Sequence, residues 1–284
     1  MSALMLRRVP HLVRAAAWIE TVPPGAWIAL QTLALWPSWR WAVARMTDGS
    51  DDPLGVAAAA VLALMLWLDR KILRTSPSWN WLGAALAGTV LTVAAGGLLP
   101  PLVVAVFAAL SLTACIAAFM PTHAGAARPL APLAGLLVLA LPIVSSLQFY
   151  AGFPLRLLTA EASKILLKLF GYAAERAGSA MIVNGELIIV DAPCSGVQMV
   201  WLAYFTACTV AVLARLPGRA FFLRLPLVGL LVLCGNVVRN CILIALEVSG
   251  EDGPAWAHDA VGLAVLAGVC ASIALLMNAG RRHV

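Results

Sequence analysis

Three residues of this chain have side chains that together could carry out acyl transfer: Cys194, Arg239 and His258. A cysteine thiolate attacks a carbonyl carbon, and an imidazole takes the thiol proton and returns it to the leaving amine. A guanidinium held in a low-dielectric site stabilises the oxyanion that forms between these steps. The three residues are far apart in the sequence, so this hypothesis requires helices that bring them together.

The cysteine stands where a polar segment, Asp191–Gln198, runs into a long apolar stretch that starts at Val197. That stretch predicts a transmembrane helix, whose first turn carries the positive end of the helix dipole. A nearby positive potential favours the thiolate over the thiol. Cys194 is therefore the predicted nucleophile.

The neighbours of the cysteine have supporting or purely structural roles. Ser195 is a poorer nucleophile because no strand–GxSxG–helix context surrounds it, and it suits the N-cap of the helix better. Gly196 permits either a close backbone approach or only helix packing. Asp191 either orients His258 or ends the strand before the cysteine, and both alternatives stay open.

Arg239 lies inside the apolar run Leu227–Leu246, roughly 12 Å from its outer end at about 1.5 Å per residue. A charged side chain at that depth costs several kcal/mol unless it is paired or hydrated, so it indicates a functional site. Asn236 and Asn240 add a polar patch to the same helix. The structural alternative is an arginine satisfied by helix-end carbonyls or by Glu247.

His258 opens the last apolar run, directly after an acidic loop. A lone histidine at a membrane surface often only contacts lipid headgroups. The other three histidines, at positions 11, 123 and 283, map to segments predicted to face the cytoplasm, whereas His258 maps to the same side as Cys194. It is therefore the predicted acid/base partner of the cysteine.

The composition is that of a membrane protein. Apolar residues make up 62% of the chain and charged residues 11%, less than half of the roughly 25% charged residues of soluble domains. The apolar runs approach 20 residues, the length that crosses about 30 Å of hydrocarbon. The predicted fold is a single-domain, all-α polytopic membrane protein with about eight transmembrane helices, at residues 24–43, 53–68, 81–99, 102–120, 130–148, 197–214, 221–246 and 257–278.

The remaining cysteines indicate no further chemistry. The six cysteines contain no CxxC pair, and all except Cys194 fall inside apolar runs, where they suit helix packing. The sequence therefore predicts neither a disulfide framework nor a metal site, and no cofactor.

The basic residues predict the orientation of the chain in the membrane. Most of the 19 lysines and arginines fall in the short loops and termini on one side, the pattern expected of cytoplasmic segments. Both termini are therefore predicted to be cytoplasmic, with Cys194 and His258 at the outer face. The net charge of +6 needs no nucleic-acid partner, because membrane lipids and this loop pattern account for it.

One sizeable region, residues 149–196, is predicted to lie outside the bilayer on the outer face. Residues 153–172 place their charged side chains on one helical face and their large apolar ones on the other, which is typical of an interfacial helix. Asn184-Gly185 follows between two runs of β-branched and apolar residues, Met181–Val183 and Glu186–Val190. Because both central positions of a tight hairpin turn need a positive φ, this pattern predicts a β-hairpin that leads to Cys194.

These motifs resemble the exosortase/archaeosortase family of multi-span membrane cysteine transpeptidases. The resemblance rests on Ala192-x-Cys194-Ser195-Gly196, Asn236-x-x-Arg239 and His258-x-x-x-Gly262, in this order on three successive spans. It extends upstream to Asp48–Gly55 and to the segment before the cysteine. Two positions depart from the family pattern: Gln198, where many members carry arginine, and Asn240, where an aliphatic residue is usual.

The resemblance implies that Cys194 is the nucleophile, His258 the acid/base and Arg239 the group that stabilises the intermediate. It also implies exported protein substrates that end in a short recognition motif, a transmembrane helix and a basic tail. The enzyme would cut near the motif at the outer face of the cytoplasmic membrane and pass the acyl group to an acceptor. Bacterial signals of this family resemble Pro-Glu-Pro tails.

Two other classes of function remain open on the residues alone. A transporter or polysaccharide-export component would use Arg239 and the asparagines to line a substrate path, although the repeated halves usual in transporters are missing. A non-catalytic scaffold would leave a buried arginine and a poised cysteine without a role. Hydrolysis and transpeptidation differ only in the nucleophile that resolves the thioester.

Overall fold

The computed structural model describes residues 22–121, 128–178, 180–188, 196–248 and 256–279. Within these ranges the chain forms ten α-helices and one three-stranded sheet. The helices are α1 Pro24–Ala34, α2 Trp36–Thr47, α3 Gly55–Asp69, α4 Trp79–Ala95, α5 Pro101–Ala118, α6 Leu130–Leu139, α7 Val144–Leu169, α8 Val197–Leu213, α9 Gly218–Val248 and α10 Trp256–Asn278; the strands are β1 Ala174–Ala177, β2 Ala180–Val183 and β3 Glu186–Ile188.

A helix occupies each of the eight predicted spans, but the eight crossings themselves are not confirmed. In the described part of the chain, α5, α9 and residues 259–278 of α10 are long and apolar enough to cross a membrane, and α6 with α7 adds a fourth if the pair forms one broken span. Helices α3, α4 and α8 are apolar but shorter. The structure is thus that of an α-helical membrane protein whose number of crossings stays a prediction.

The contacts divide the chain into two compact units, residues 1–142 and residues 143–284. The assignment of the chain to a single domain therefore stays a prediction. In the first unit α5 is the central helix and packs against α1, α2, α4 and α6. Gln31 donates hydrogen bonds to Thr89 Oγ1 and Ser111 Oγ, both at 2.7 Å, which joins α1, α4 and α5. In lipid the hydrophobic effect does not drive helices together, so interhelical hydrogen bonds of this kind contribute to their association.

The first predicted span, residues 24–43, consists of two helices that meet at Leu35. Pro37 lies in the first turn of α2, where its missing N–H removes no helical bond. The backbone N–H of Ser38 donates to Leu35 O at 3.0 Å. The indole Nε1 of Trp39 donates to the carbonyl of Thr32 at 2.9 Å, so a side chain serves a carbonyl at the end of α1.

In the second unit α9 packs against α7, α8 and α10. Helix α7 presents a face of small residues to it, and Ala160 and Leu167 of α7 pack with Val237 and Ile244 of α9. The guanidinium of Arg224 donates to the last carbonyls of α10, at 2.7 to 3.1 Å, which satisfies groups that a helix end leaves open. These contacts connect α9 with α7 and with the C-terminal end of α10.

The predicted β-hairpin is confirmed for the described residues. Strands β2 and β3 pair antiparallel, with Val183 opposite Glu186. The turn residues Asn184 and Gly185 have φ values of 52° and 93°, as the tight turn requires. Strand β1, which was not predicted, adds to the other side of β2. Residues 189–195, which connect the hairpin to α8, lie outside the described residues.

The predicted amphipathic helix is confirmed as a helix, but its boundaries and its packing differ from the prediction. The helix in the fifth predicted span, α6, ends at Leu139. Helix α7 then begins at Val144 and continues to Leu169. Most of the side chains that pack inward are small or polar, Thr159, Ala160 and Ser163 among them, and Leu167 is the large exception. The large apolar side chains on the opposite face, including Leu158 and Leu169, are exposed. Its placement at the membrane interface stays a prediction.

Candidate active site

The described residues include part of the predicted site. Cys194, Ser195 and Asp191 lie outside them, and of His258 the helical position is described but not the side chain. Gly196, Asn236, Arg239 and Asn240 are described, and all four belong to the second unit.

Helix α8 begins where the sequence predicts it, at Val197. The N-cap position is Gly196, one residue later than the predicted Ser195. Gly196 has a φ of 75°, a left-handed conformation that residues with a Cβ rarely adopt. A Cβ built there would lie 2.8 Å from Nδ2 and 2.9 Å from Cγ of Asn236. The glycine is therefore required for both its backbone angle and its contact with α9.

Asn236 is held on its other side by α7. Its Nδ2 donates to Thr159 Oγ1 at 3.1 Å, and both residues are buried, with 2% and 0% of their surface exposed. A buried hydrogen bond of this kind fixes the orientation of the amide that meets Gly196. Thr159, Asn236 and Gly196 thus connect α7, α9 and the start of α8.

Asn240 follows one turn after Asn236 on the same face of α9. It is 4% exposed, and neither of its amide atoms has a hydrogen-bond partner among the described residues. It is not among the described residues that line the cavities of about 390 and 260 Å³ beside Gly196. Next to it, Cys241 Sγ contacts the Ser163 carbonyl at 3.7 Å. Asn240 is therefore buried and is not among the described residues that line the cavity beside Arg239.

Arg239 faces α10 and lines a cavity of about 390 Å³, which we call the charged cavity. Its described lining comes from α8, α9 and α10, and its polar or charged members are Gln198, Arg239 and Asp259. A Cβ added to Gly262 of α10 would lie 3.4 Å from Arg239 Nε. The guanidinium therefore packs directly over this glycine.

Position 258 precedes Gly262 by one helical turn. Residues separated by four positions share one face of a helix. Position 258 is thus on the same face of α10 as Gly262, which is the face that meets Arg239. Gly196 borders the same cavity from α8. The helices bring the Arg239 side chain, the start of α8 and the face of α10 at position 258 to one cavity.

The described lining of the charged cavity carries charges of both signs, on Arg239 and Asp259. The guanidinium is a fixed positive charge, and the N-terminus of α8 adds the positive end of a helix dipole. Asp259 lies in the first turn of α10, where the dipole of that helix favours a carboxylate. A developing oxyanion between α8 and α9 would meet two positive groups there.

Sequence reasoning missed two residues of this arrangement. Asp259 was not assigned a role from the sequence, although an acidic residue in a first helical turn next to a candidate base is a usable signal. Thr159 was counted with a helix predicted to lie at the interface. The small polar residues Thr159 and Ser163, one turn apart on α7, were the signal that this face packs inward.

A comparison with protein families gives a match over most of the chain. The transmembrane exosortase family model matches residues 15–276, nearly the whole chain. No curated protein and no solved structure matches the chain. The match includes every helix of both units apart from the last residues of α10. The family is a transmembrane one, which agrees with the apolar helices of this chain. This chain belongs to the transmembrane exosortase family.

Proposed function

We propose that this protein is a membrane-embedded cysteine transpeptidase that removes the C-terminal sorting signal of exported proteins. Membership of the exosortase family supports a sorting transpeptidase in general. The finer assignment names Cys194 as nucleophile, His258 as acid/base and Arg239 as the group that binds the oxyanion. It places the reaction at the outer face of the cytoplasmic membrane, with both termini inside.

The packing of Arg239 over Gly262 is the observation that carries this proposal. It puts the guanidinium against the face of α10 that includes position 258, one turn away. Gly196 borders the same cavity, and Cys194 precedes it by two residues of chain, which reach at most about 7 Å. This arrangement supports the proposal that Cys194, Arg239 and His258 act at one cavity.

The proposed reaction has two acyl transfers. His258 accepts the thiol proton, and the Cys194 thiolate attacks the scissile carbonyl to form a tetrahedral oxyanion beside Arg239. The C–N bond breaks, the amine leaves with the proton from His258, and a thioester remains. An acceptor nucleophile then gives its proton to His258 and attacks the thioester, and the thiolate leaves.

The proposed substrates are exported proteins with a short motif, a transmembrane helix and a basic tail. Such a tail holds the motif at the membrane surface, where the start of α8 is predicted to lie. Binding of both molecules in one membrane confines the reaction to two dimensions, which raises the effective concentration of the peptide bond.

Co-expression with a tail-anchored reporter tests the proposal. The reporter carries a Pro-Glu-Pro motif, a transmembrane helix and a basic tail, and processing is followed by immunoblot and mass spectrometry. Cys194→Ala and Cys194→Ser should leave only the uncut precursor, whereas Cys234→Ala, an exposed cysteine of α9 away from the cavity, should process normally. Unchanged processing by Cys194→Ala would show that this cysteine is not the nucleophile.

The thioester itself is a second observable. Hydroxylamine cleaves thioesters, so adding it should release the reporter as a hydroxamate and raise the yield of cut product. A wild-type enzyme that cuts the reporter without forming hydroxamate would argue for direct hydrolysis without a covalent intermediate.

A further inference from the structure

A second cavity borders Gly196 on the side away from Arg239. We call it the apolar cleft. It has a volume of about 260 Å³ and lies between α7, α8 and α9. Its lining includes Leu155, Val200, Gly229, Val232 and Leu233, together with three polar residues. No charged residue is among the described residues that line it.

The polar side chains of the apolar cleft already have partners inside the protein. Thr159 Oγ1 accepts the bond from Asn236 Nδ2 at 3.1 Å. The hydroxyl of Tyr204 donates to the Leu225 carbonyl at 3.4 Å. Because these groups are engaged, a polar occupant would lose hydrogen bonds to water without gaining equivalent ones. The chemistry of the cleft therefore suits an apolar group.

The size of the apolar cleft limits what this group can be. Pockets for whole small-molecule ligands measure roughly 300–1,000 Å³, and a helix with its side chains is about 10 Å across. The cleft is too small for either and suits a single side chain. Gly196 lines both the charged cavity and the apolar cleft, so the backbone that follows Cys194 separates the two.

We propose that the apolar cleft is a specificity subsite that takes one apolar side chain of the substrate next to the scissile bond. This inference rests on the proposed function. In an extended peptide successive side chains point to opposite sides. A peptide whose carbonyl lies at Cys194 would thus direct one neighbouring side chain into the apolar cleft and expose the opposite side to the charged cavity.

Gly229 gives a direct way to fill the apolar cleft. A Cβ at this position would lie 3.3 Å from the Tyr204 hydroxyl. Gly229→Val should reduce the space for the substrate side chain, and Leu155→Ala should enlarge it. Gly268→Val is the matched control, because that glycine is on α10 and a Cβ there meets nothing within 4 Å.

The experiment uses the full chain with the reporter described above, in which the residue on each side of the motif is changed in turn to Ala, Val, Leu or Phe. At one flanking position Gly229→Val should lower processing of the Leu and Phe reporters relative to the Ala reporter by roughly ten-fold. Leu155→Ala should change the ratio in the opposite direction. Gly268→Val should leave the ratio as in the wild type.

The outcomes separate this inference from the proposed function. If Cys194→Ala is inactive on every reporter but Gly229→Val and Leu155→Ala both keep the wild-type ratio, the subsite is wrong and the proposed function stands. If Cys194→Ala still processes the reporters, the proposed function fails. If the Gly229→Val protein does not accumulate, the processing ratio of the Leu155→Ala protein decides the question.

Discussion

The amide of Asn236 lies against Gly196 so closely that a Cβ on the glycine would be 2.8 Å from Nδ2. The residue at the start of α8 is therefore held by a side chain of α9, and that side chain is held by Thr159 of α7. We therefore expect a displacement of Asn236 to alter the position of Gly196, which follows the proposed nucleophile by two residues. This relationship connects packing within the helices to the position of the proposed nucleophile.

Gly196→Ala should reduce both folding and processing. The left-handed conformation costs a residue with a Cβ about 1–2 kcal/mol, and the contact with Asn236 adds to that cost. Thermal unfolding in detergent measures the first effect and reporter processing the second. Gly97→Ala is the control, since Gly97 has a φ of 83° but a Cβ there meets nothing within 4 Å.

The double variant Gly196→Ala with Asn236→Ala separates the two costs. The double variant should recover the loss of stability that comes from the contact with Asn236. It should keep the loss that comes from the left-handed φ. A double variant as unstable as the sum of the single ones would mean that the two residues do not interact.

Thr159→Val should lower stability and processing while preserving the shape of the side chain. It removes the acceptor of a buried hydrogen bond, which costs about 1–3 kcal/mol. Thr159→Ser should recover most of the loss because it restores the hydroxyl. The rate of alkylation of Cys194 as a function of pH reports whether the site itself has moved; an identical profile in Thr159→Val would limit this residue to a structural role.

Arg239→Ala should lower kcat by roughly 100- to 1,000-fold if the guanidinium stabilises the oxyanion. Arg239→Lys should also be poor, because a lysine lacks the planar fork that binds an oxyanion through two hydrogens. Steady-state kinetics with a fluorogenic peptide in detergent measure both. Arg219→Ala, an exposed residue at the other end of α9, is the control; full activity of Arg239→Lys would show that charge alone is needed.

Gly262→Ala should retain activity and Gly262→Val should lose it. The first Cβ would lie 3.4 Å from Arg239 Nε, an ordinary contact, whereas the branches of valine would push the guanidinium away. A shift of about 1 Å in a catalytic group can cost about 100-fold in rate. The same kinetic assay distinguishes the variants, and equal activity of the alanine and valine forms would mean that Arg239 does not need its place over α10.

Asp69→Asn should destabilise the first unit without altering the substrate preference. The Asp69 carboxylate accepts two bonds from the guanidinium of Arg128, at 2.5 and 2.8 Å, and both side chains are mostly buried. Loss of a charged hydrogen-bonded pair of this kind costs about 1.5–3 kcal/mol. Thermal unfolding in detergent measures the loss; the exposed Arg70→Gln should leave the midpoint unchanged.

The sequence predicted the helices and the hairpin well because their signals are local. Apolar runs and the Asn184-Gly185 turn depend on neighbouring residues alone, and α8 starts at Val197 as expected. Strand β1 was missed because Ala174–Ala177 contains two charged residues and no β-branched one. It forms through pairing with β2, which local patterns do not encode.

The candidate site was predicted as a set of residues but not as an arrangement. Asn236, Arg239 and Asn240 were expected to form one polar patch, yet Asn236 meets α7 and Gly196 while Arg239 meets α10. The positions of Asn236 and Arg239 on α9 allow the two side chains to meet different helices. Which helix each side chain meets depends on how the neighbouring helices pack. The same reason explains α7, most of whose large apolar side chains face outward, because small side chains on the inward face let α9 approach closely.

The first apolar segment consists of two helices rather than one continuous helix. The Trp39 indole donates across the joint between them to the Thr32 carbonyl. Hydropathy averages over this joint and reports one uninterrupted stretch. In hydrocarbon no solvent can serve an open carbonyl, so an aromatic residue without an N–H at position 39 would leave that oxygen without its donor. The Trp39 indole thus acts at this joint as a side-chain substitute for a backbone donor.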